Sequence, residues 1–337
     1  MTKRAMGNLV NRYRSVLKKC HLINTFGSLA VAAILVMGVT DGEAFSNAVG
    51  YNVTSTSTPG TTVSVTDTSE NAVASGIKAE TSATYSVPST ITRAEATAIG
   101  KQSALSLGVF AQSSSGNRLT VNLAPLDISS TAVTENGSSR SVGIYSDVNS
   151  SVSVHGGTIV SSAHSKNGIA EAFGAMSQNN SSVTLGADSI VLSAESSKKL
   201  SDPRTVGIYF SDNSTFNVTS NRIRVDVSAT HNGDVFSRKV NGIYGDKNST
   251  LTMNDADISV REINSTPDKS GAAGIHLFTA STLAMKDASI RVAAIDHEGT
   301  FAGSAIGIVT SPTSGRHDIS RHSRYPCARW MGLRHPA

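Results

Sequence analysis

The sequence predicts an all-β fold: a right-handed parallel β-helix of about seven coils of 31–35 residues, preceded by a signal peptide. Three observations predict it. A glycine recurs at a near-constant step, apolar and polar residues alternate behind it, and the repeats are rich in Ser, Thr, Val and Asn rather than in helix formers. The glycines are Gly76, Gly108, Gly143, Gly174, Gly207, Gly242, Gly274 and Gly307, separated by 32, 35, 31, 33, 35, 32 and 33 residues. Self-similarity at a fixed period marks a stack of like units, so it governs the reading of every single residue.

Within a unit the spacing is strict. Nine residues after five of the glycines stand Val152, Val183, Phe216, Leu251 and Leu283. Two residues later come Val154, Leu185, Val218, Met253 and Met285, and seven after the first come Ile159, Ile190, Ile223, Ile258 and Ile290. The run Arg222-Ile223-Arg224-Val225-Asp226-Val227 alternates with period two, as a strand with one buried face does. In that unit three short strands are expected near residues 206–209, 215–219 and 222–228. Three such strands make one coil, each pairing with its equivalent one coil on at about 4.8 Å.

The turns carry their own repeat. Asn149, Asn180, Asn213 and Asn248 each lie six residues after a glycine and precede Ser-Ser or Ser-Thr, while the fifth copy has Ala280 before Ser281-Thr282. Stacked, these asparagines are expected to form a hydrogen-bonded ladder that satisfies turn backbone groups. The same triplets match the N-glycosylation acceptor pattern. The structural reading is favoured because they keep register with the repeat. Length varies only after the third strand, at residues 195–205 and 230–239, which suggests loops along one edge.

The ends differ from the middle. Residues 1–44 open with Lys3, Arg4, Arg12, Arg14, Lys18 and Lys19, continue with an apolar run over 28–39, and close on Gly42-Glu43-Ala44. That is the three-part pattern of a secretory signal cleaved after Ala44. An uncleaved anchor is the rival, but the run is shorter than the roughly 20 residues that span a bilayer. Residues 45–75 read as a capping or entry segment, 76–312 as the repeats, and 313–337 as an aberrant basic tail expected to be disordered. The tail holds five Arg, three His and the only Trp. It fits a frameshifted gene end or a short basic element for an anionic surface. The expected product is then periplasmic, with an unpaired strand edge prone to aggregation.

Residues 45–312 carry 18 Lys and Arg against 22 Asp and Glu, so nothing there points to nucleic acid. The same stretch has no cysteine, so no disulfide holds the stack. A long basic signal, a cysteine-free Ser/Thr/Asn/Gly-rich body and three-strand coils together resemble the passenger portion of a type V autotransporter. The resemblance covers residues 1–312 and rests on architecture. It implies a surface protein, exported by the Sec machinery and cut by signal peptidase, that meets glycan or protein ligands at the cell surface. It also implies a C-terminal outer-membrane barrel, for which the residues after 312 offer no alternating segments.

Residues for chemistry are few. No Gly-x-Ser-x-Gly setting occurs. His155, His164, His231, His276 and His297 fall at unlike repeat positions and read as solvated surface. Asp188, Asp255, Asp257 and Asp287 lie between second and third strands and could line a groove or meet Ca²⁺, but ordinary turn acids are the favoured reading because Gly157, Asn221 and Ala288 interrupt the column. Tyr145, Tyr209 and Tyr244, two after their glycines, form either a sugar-binding strip or a stacked column. No catalytic, cofactor-binding or metal-binding residue is assigned, and no cofactor is expected. The function expected is that of a non-enzymatic adhesin-like passenger. The alternative is a carbohydrate-active β-helix enzyme, which needs paired carboxylates in a cleft.

Overall fold

The computed structural model describes residues 46–55, 60–114, 117–186, 189–198, 204–231, 240–264, 271–295, 304–310 and 317–319. The expected signal, the residues 320–337 of the tail, His297 and Asp188 lie outside them. Period-two patterning has produced parallel strands and, among the described residues, no helix. The chain enters with β1 (Ser46–Asn52) and β2 (Thr62–Asp67). Turns of three strands follow. These are β3 (Asn71–Ala79), β4 (Thr84–Ser86) and β5 (Arg93–Gly100), then β6 (Ser103–Gln112), β7 (Leu119–Leu123) and β8 (Asp127–Thr134). Next come β9 (Ser138–Asp147), β10 (Ser150–Val154) and β11 (Gly157–Ser165), then β12 (Ala170–Ser177), β13 (Ser182–Leu185) and β14 (Ser189–Lys198). Thereafter the second and third strands join: β15 (Arg204–Phe210) with β16 (Thr215–His231), β17 (Val240–Gly245) with β18 (Thr250–Asn264), and β19 (Gly271–Leu277) with β20 (Thr282–Ile295). β21 (Ser304–Thr310) and β22 (His317–Ile319) follow.

The first strands stack as one sheet in the order β1-β3-β6-β9-β12-β15-β17-β19-β21. Second and third strands form two columns that merge at β16. The three separate strands expected near 206–228 are therefore two, because β16 runs on through its corner with a register irregularity between Val218 and Arg222. Residues 46–67 supply the first strands of the same stack, since β1 pairs β3 and β2 pairs β5. β22 pairs β20, placing Ile319 opposite Met285, so the pairing reaches past residue 312.

The spacing of apolar residues becomes vertical columns. Val152, Val183, Phe216, Leu251 and Leu283 are in register, as are Val154, Leu185, Val218, Met253 and Met285, and all are buried. The isoleucines differ from expectation. Ile159 stands opposite Leu192 rather than Ile190, and Ile223 opposite Ala256 rather than Ile258. The corner between second and third strands is two residues longer in the turns holding Leu185 and Val218 than in those holding Val154, Met253 and Met285. A slip of two residues keeps every side chain on its own face, so Ile223 and Ile258 remain buried.

The repeating glycine has a steric cause. A Cβ at Gly242 would stand 2.3 Å from Ile258 Cγ2 and 2.6 Å from the Gly274 carbonyl oxygen. Gly207 meets Val225 and Gly242 in the same way, at 2.2 and 2.6 Å. The first sheet thus lies against the branched residue of the third strand with no room for a side chain. Asparagine recurs for a backbone reason. Asn149, Asn180, Asn213 and Asn248 have φ of 52–60°, the left-handed region that Asn tolerates, and Ala280 takes 55° in the same corner. Rungs between corners run through the backbone, as from Asn180 N to Asp212 O at 2.9 Å and Asn213 N to Lys247 O at 2.9 Å. The serine after each asparagine is buried and bonds inward, Ser181 Oγ to Ser146 O at 2.7 Å and Ser214 Oγ to Ser177 O at 2.8 Å. The Asn-Ser pair is thus explained by turn geometry.

Candidate functional site

Alternation on β16, β18 and β20 turns Ile223, Val225, Ile258, Val260 and Ile290 into the core and their neighbours outward. The outward residues of the three coils form a grid. Arg222, Asp255 and Asp287 share one row across the coils. The next rows are Arg224, Asp257 and Ser289, then Asp226, Ser259 and Arg291, then Ser228, Arg261 and Ala293. Adjacent rungs lie about 4.8 Å apart, so each side chain can reach those on either side.

Two ion pairs knit the grid. Arg222 Nε donates diagonally to Asp257 Oδ2 at 2.8 Å, and Arg224 Nε meets Asp226 Oδ2 at 2.7 Å. Both arginines are well exposed, so each pair contributes about 0–1 kcal/mol. Arg261 and Arg291 are exposed and have no ion-pair partner among the described residues. The face carries two adjoining depressions. One, of about 300 Å³, is walled by Arg222, Arg224, Asp226, Asp257, Ser259 and Arg291. The other, of about 310 Å³, is walled by Arg222, Asp255, Asp257, Asp287 and Ser289. The grid is acidic at the corner end and basic further along the strands.

The acids singled out in the sequence are thus brought together in part. Asp255 and Asp287 are in register, Asp257 is one row over and held by Arg222, and no group of three or more His, Cys, Asp or Glu among the described residues has the form of a metal site. The arginines beside them were missed. Their signal was present in Arg222-Ile223-Arg224, where polar positions of a strand alternate as charge.

The tyrosines take a different place. Tyr145, Tyr209 and Tyr244 lie on the side of the first sheet away from the main core, in a second cluster with Phe110, Phe173 and Met176. Tyr209 stacks parallel on Tyr244 at 5.4 Å, Phe173 meets Tyr209 edge-on at 5.7 Å, and the Arg204 guanidinium lies 5.1 Å from the Tyr209 ring centre. Tyr145 and Tyr209 are 3% and 4% exposed. These two lie in a packed column that a sugar cannot reach, and Tyr244, half-buried, continues it. Tyr145 Oη donates to Asp147 Oδ2 at 2.9 Å and Asn179 Nδ2 to Asp147 Oδ1 at 2.6 Å. Burial pushes the Tyr145 hydroxyl well up and raises the Asp147 carboxyl against the pull of these donors. Nearby, burial would lower Arg140, but Glu171 at Nε–Oε2 2.7 Å holds it above its ordinary value.

Among the histidines, His155 is exposed and bonds Ser153 at 3.3 Å. His231 corrects the surface reading. It is buried with Nε2 2.8 Å from Glu262 Oε1, while Glu262 Oε2 accepts the Gly271 N–H at 2.6 Å. Its strand position faces inward, which repeat-unlike placement could not show. Comparison of the chain with protein-family models, with curated proteins and with solved structures finds no match.

Proposed function

We propose that this chain is an exported, adhesin-like passenger that binds surface ligands without transforming them. The observation that supports this most is the outer face of β16, β18 and β20. There polar and charged side chains stand in register over two adjoining depressions, as an extended ligand requires. The basic, apolar and small-residue order of residues 1–44 supports export, and the parallel solenoid supports an autotransporter-like passenger. The test is to apply the purified chain to bacterial and host cells and to a panel of polysaccharides, measuring both retention and polymer length. Saturable retention with polymer length unchanged is expected. Shortening of any polysaccharide, or no retention on any surface, would sink the reading.

A second reading has one observation on its side. Asp255, Asp257, Asp287 and Arg222 share one depression, the residue types with which a carbohydrate-active enzyme works. A polymer-shortening activity lost in Asp255→Asn/Asp287→Asn, with unchanged melting, would establish it.

A further inference from the structure

We infer that the basic half of the outer grid, Arg261 and Arg291 around Ser259, is a binding site for an acidic polysaccharide, one bearing carboxylate or sulfate groups on its sugars. This rests on the surface-binding reading above and names the ligand class and the residues.

The charges on this face divide by their partners. Arg222 and Arg224 already bond Asp257 and Asp226. The guanidinium groups of Arg261 and Arg291, exposed on neighbouring coils, have no hydrogen-bond or ion-pair partner among the described residues. A guanidinium presents paired donors that match a carboxylate or sulfate, which makes an unpaired one the stronger recruit for an anion. The two arginines are one coil and two residues apart, about 8 Å between Cα positions given strand spacings of about 4.8 and 3.3 Å. Long side chains on that span can close on one anionic group or take two groups on successive sugars. Ser259 lies in register with Arg291 and two residues before Arg261, and it adds a hydroxyl beside both.

The acidic half favours a polysaccharide over other polyanions. Asp257 stands one row from Arg291 and two from Arg261, and Asp255 and Asp287 stand two and three rows from them. These carboxylates can accept hydrogen bonds from sugar hydroxyls. A continuous phosphate backbone or an anionic lipid sheet would instead be pressed against three carboxylates. A ligand whose anionic groups alternate with hydroxyls along each sugar suits both halves at once.

The test uses the full chain on immobilised polygalacturonate and on heparin, the carboxylate and sulfate sources. Dextran serves as a neutral glycan, and a DNA duplex and phosphatidylglycerol vesicles as other polyanions. The parent should bind polygalacturonate or heparin, more weakly as salt is raised. Arg261→Gln/Arg291→Gln should weaken that binding about tenfold or more, about 1.4 kcal/mol or more, with unchanged melting. Lys101→Gln/Lys166→Gln, at exposed lysines on other coils, should not. The inference falls if the arginine variant binds as the parent does, if neither acidic glycan is bound, or if DNA or vesicles are bound as tightly. Retention on cells or dextran that survives the arginine changes would sink this inference and leave the surface-binding reading standing. Shortening of the polygalacturonate would sink that reading instead.

Discussion

The two ends of the solenoid fill the same positions with opposite chemistry. Between the first sheet and the third strand, the turns around β6 to β11 place Ser106, Ser130, Ser141 and Ser161, all fully buried. The turns around β16 to β20 place Val227, Val260 and Val292 in the column that holds Ser130 and Ser161. The serines satisfy one another. Ser106 Oγ donates to Ala96 O at 2.8 Å, Ser141 Oγ to Ser130 O at 2.8 Å, and Ser161 Oγ to Ser141 Oγ at 2.9 Å. The valines need no partner and bury more apolar surface. Outside, the early turns carry Ser129, Thr131, Thr158 and Ser162, and the late turns carry the Arg–Asp grid. A parallel stack needs only that each column agree with itself from coil to coil. A hydroxyl column and an aliphatic column meet that need equally, which frees the outer face to differ along the length.

The comparison can be broken most forcefully in the aliphatic half. Ile223→Asp places a charge with no counter-ion between coils, and a loss of several kcal/mol is expected in denaturant unfolding. An unfolding midpoint equal to the parent's would mean that Ile223 is not in the core. A matched pair of substitutions sharpens the contrast. Val260→Ser strands a hydroxyl beside Val227 and Val292, and Ser141→Ala strands the bonds of Ser130, Ser161 and Ser162 N. Each should cost about 1–3 kcal/mol, for opposite reasons. If Ser141→Ala were neutral, the hydroxyl network would not be holding the early turns.

A pH series separates the two halves more gently. Burial raises the Asp147 carboxyl in the folded chain above its ordinary value of 3.8. Between those values the folded state holds a proton that the unfolded chain has lost. The contribution of Asp147 to stability is therefore greatest below pH 3.8, falls as pH rises through the raised value, and is flat above it. Asp147→Asn should match the parent in acid and gain on it as pH rises, with Val148 N and Asn179 still bonded to the remaining oxygen. A gap that widens toward acid would contradict this. The smallest effect is expected at Ala280, the one repeat corner where alanine takes positive φ in place of asparagine. Ala280→Gly relieves that strain and should stabilise by up to about 1 kcal/mol, a small rise in melting temperature.

Much of the fold was legible in the chain. The glycine period, the apolar columns at Val152 and Val154 and their equivalents, and the parallel stack all follow from spacing. Three things were not. The two-residue slip at Ile190 and Ile223 is invisible because period two returns the same face. The buried serines do not register in a search for apolar columns. The Arg–Asp grid depends on which residues of neighbouring coils come opposite, and that is set by the slip. The candidate site was half legible, through Asp255, Asp257 and Asp287, and its arginines became meaningful only once the coils were aligned.

Because the grid depends on that alignment, disulfide trapping tests it most directly. Residues 45–312 contain no cysteine, so with Cys20 and Cys327 replaced by serine any new bridge is unambiguous. In the structure Arg222 stands opposite Asp255, whereas equal distances from Gly207 and Gly242 would set Arg222 opposite Asp257. Cysteines in register on adjacent strands fall within disulfide reach, while a pair displaced by two residues lies about 8 Å apart, beyond it. Mild oxidation should therefore bridge Arg222→Cys/Asp255→Cys rapidly and leave Arg222→Cys/Asp257→Cys largely reduced. Rapid bridging of the second pair and not the first would contradict the slip, and with it the grid on which the proposed site stands.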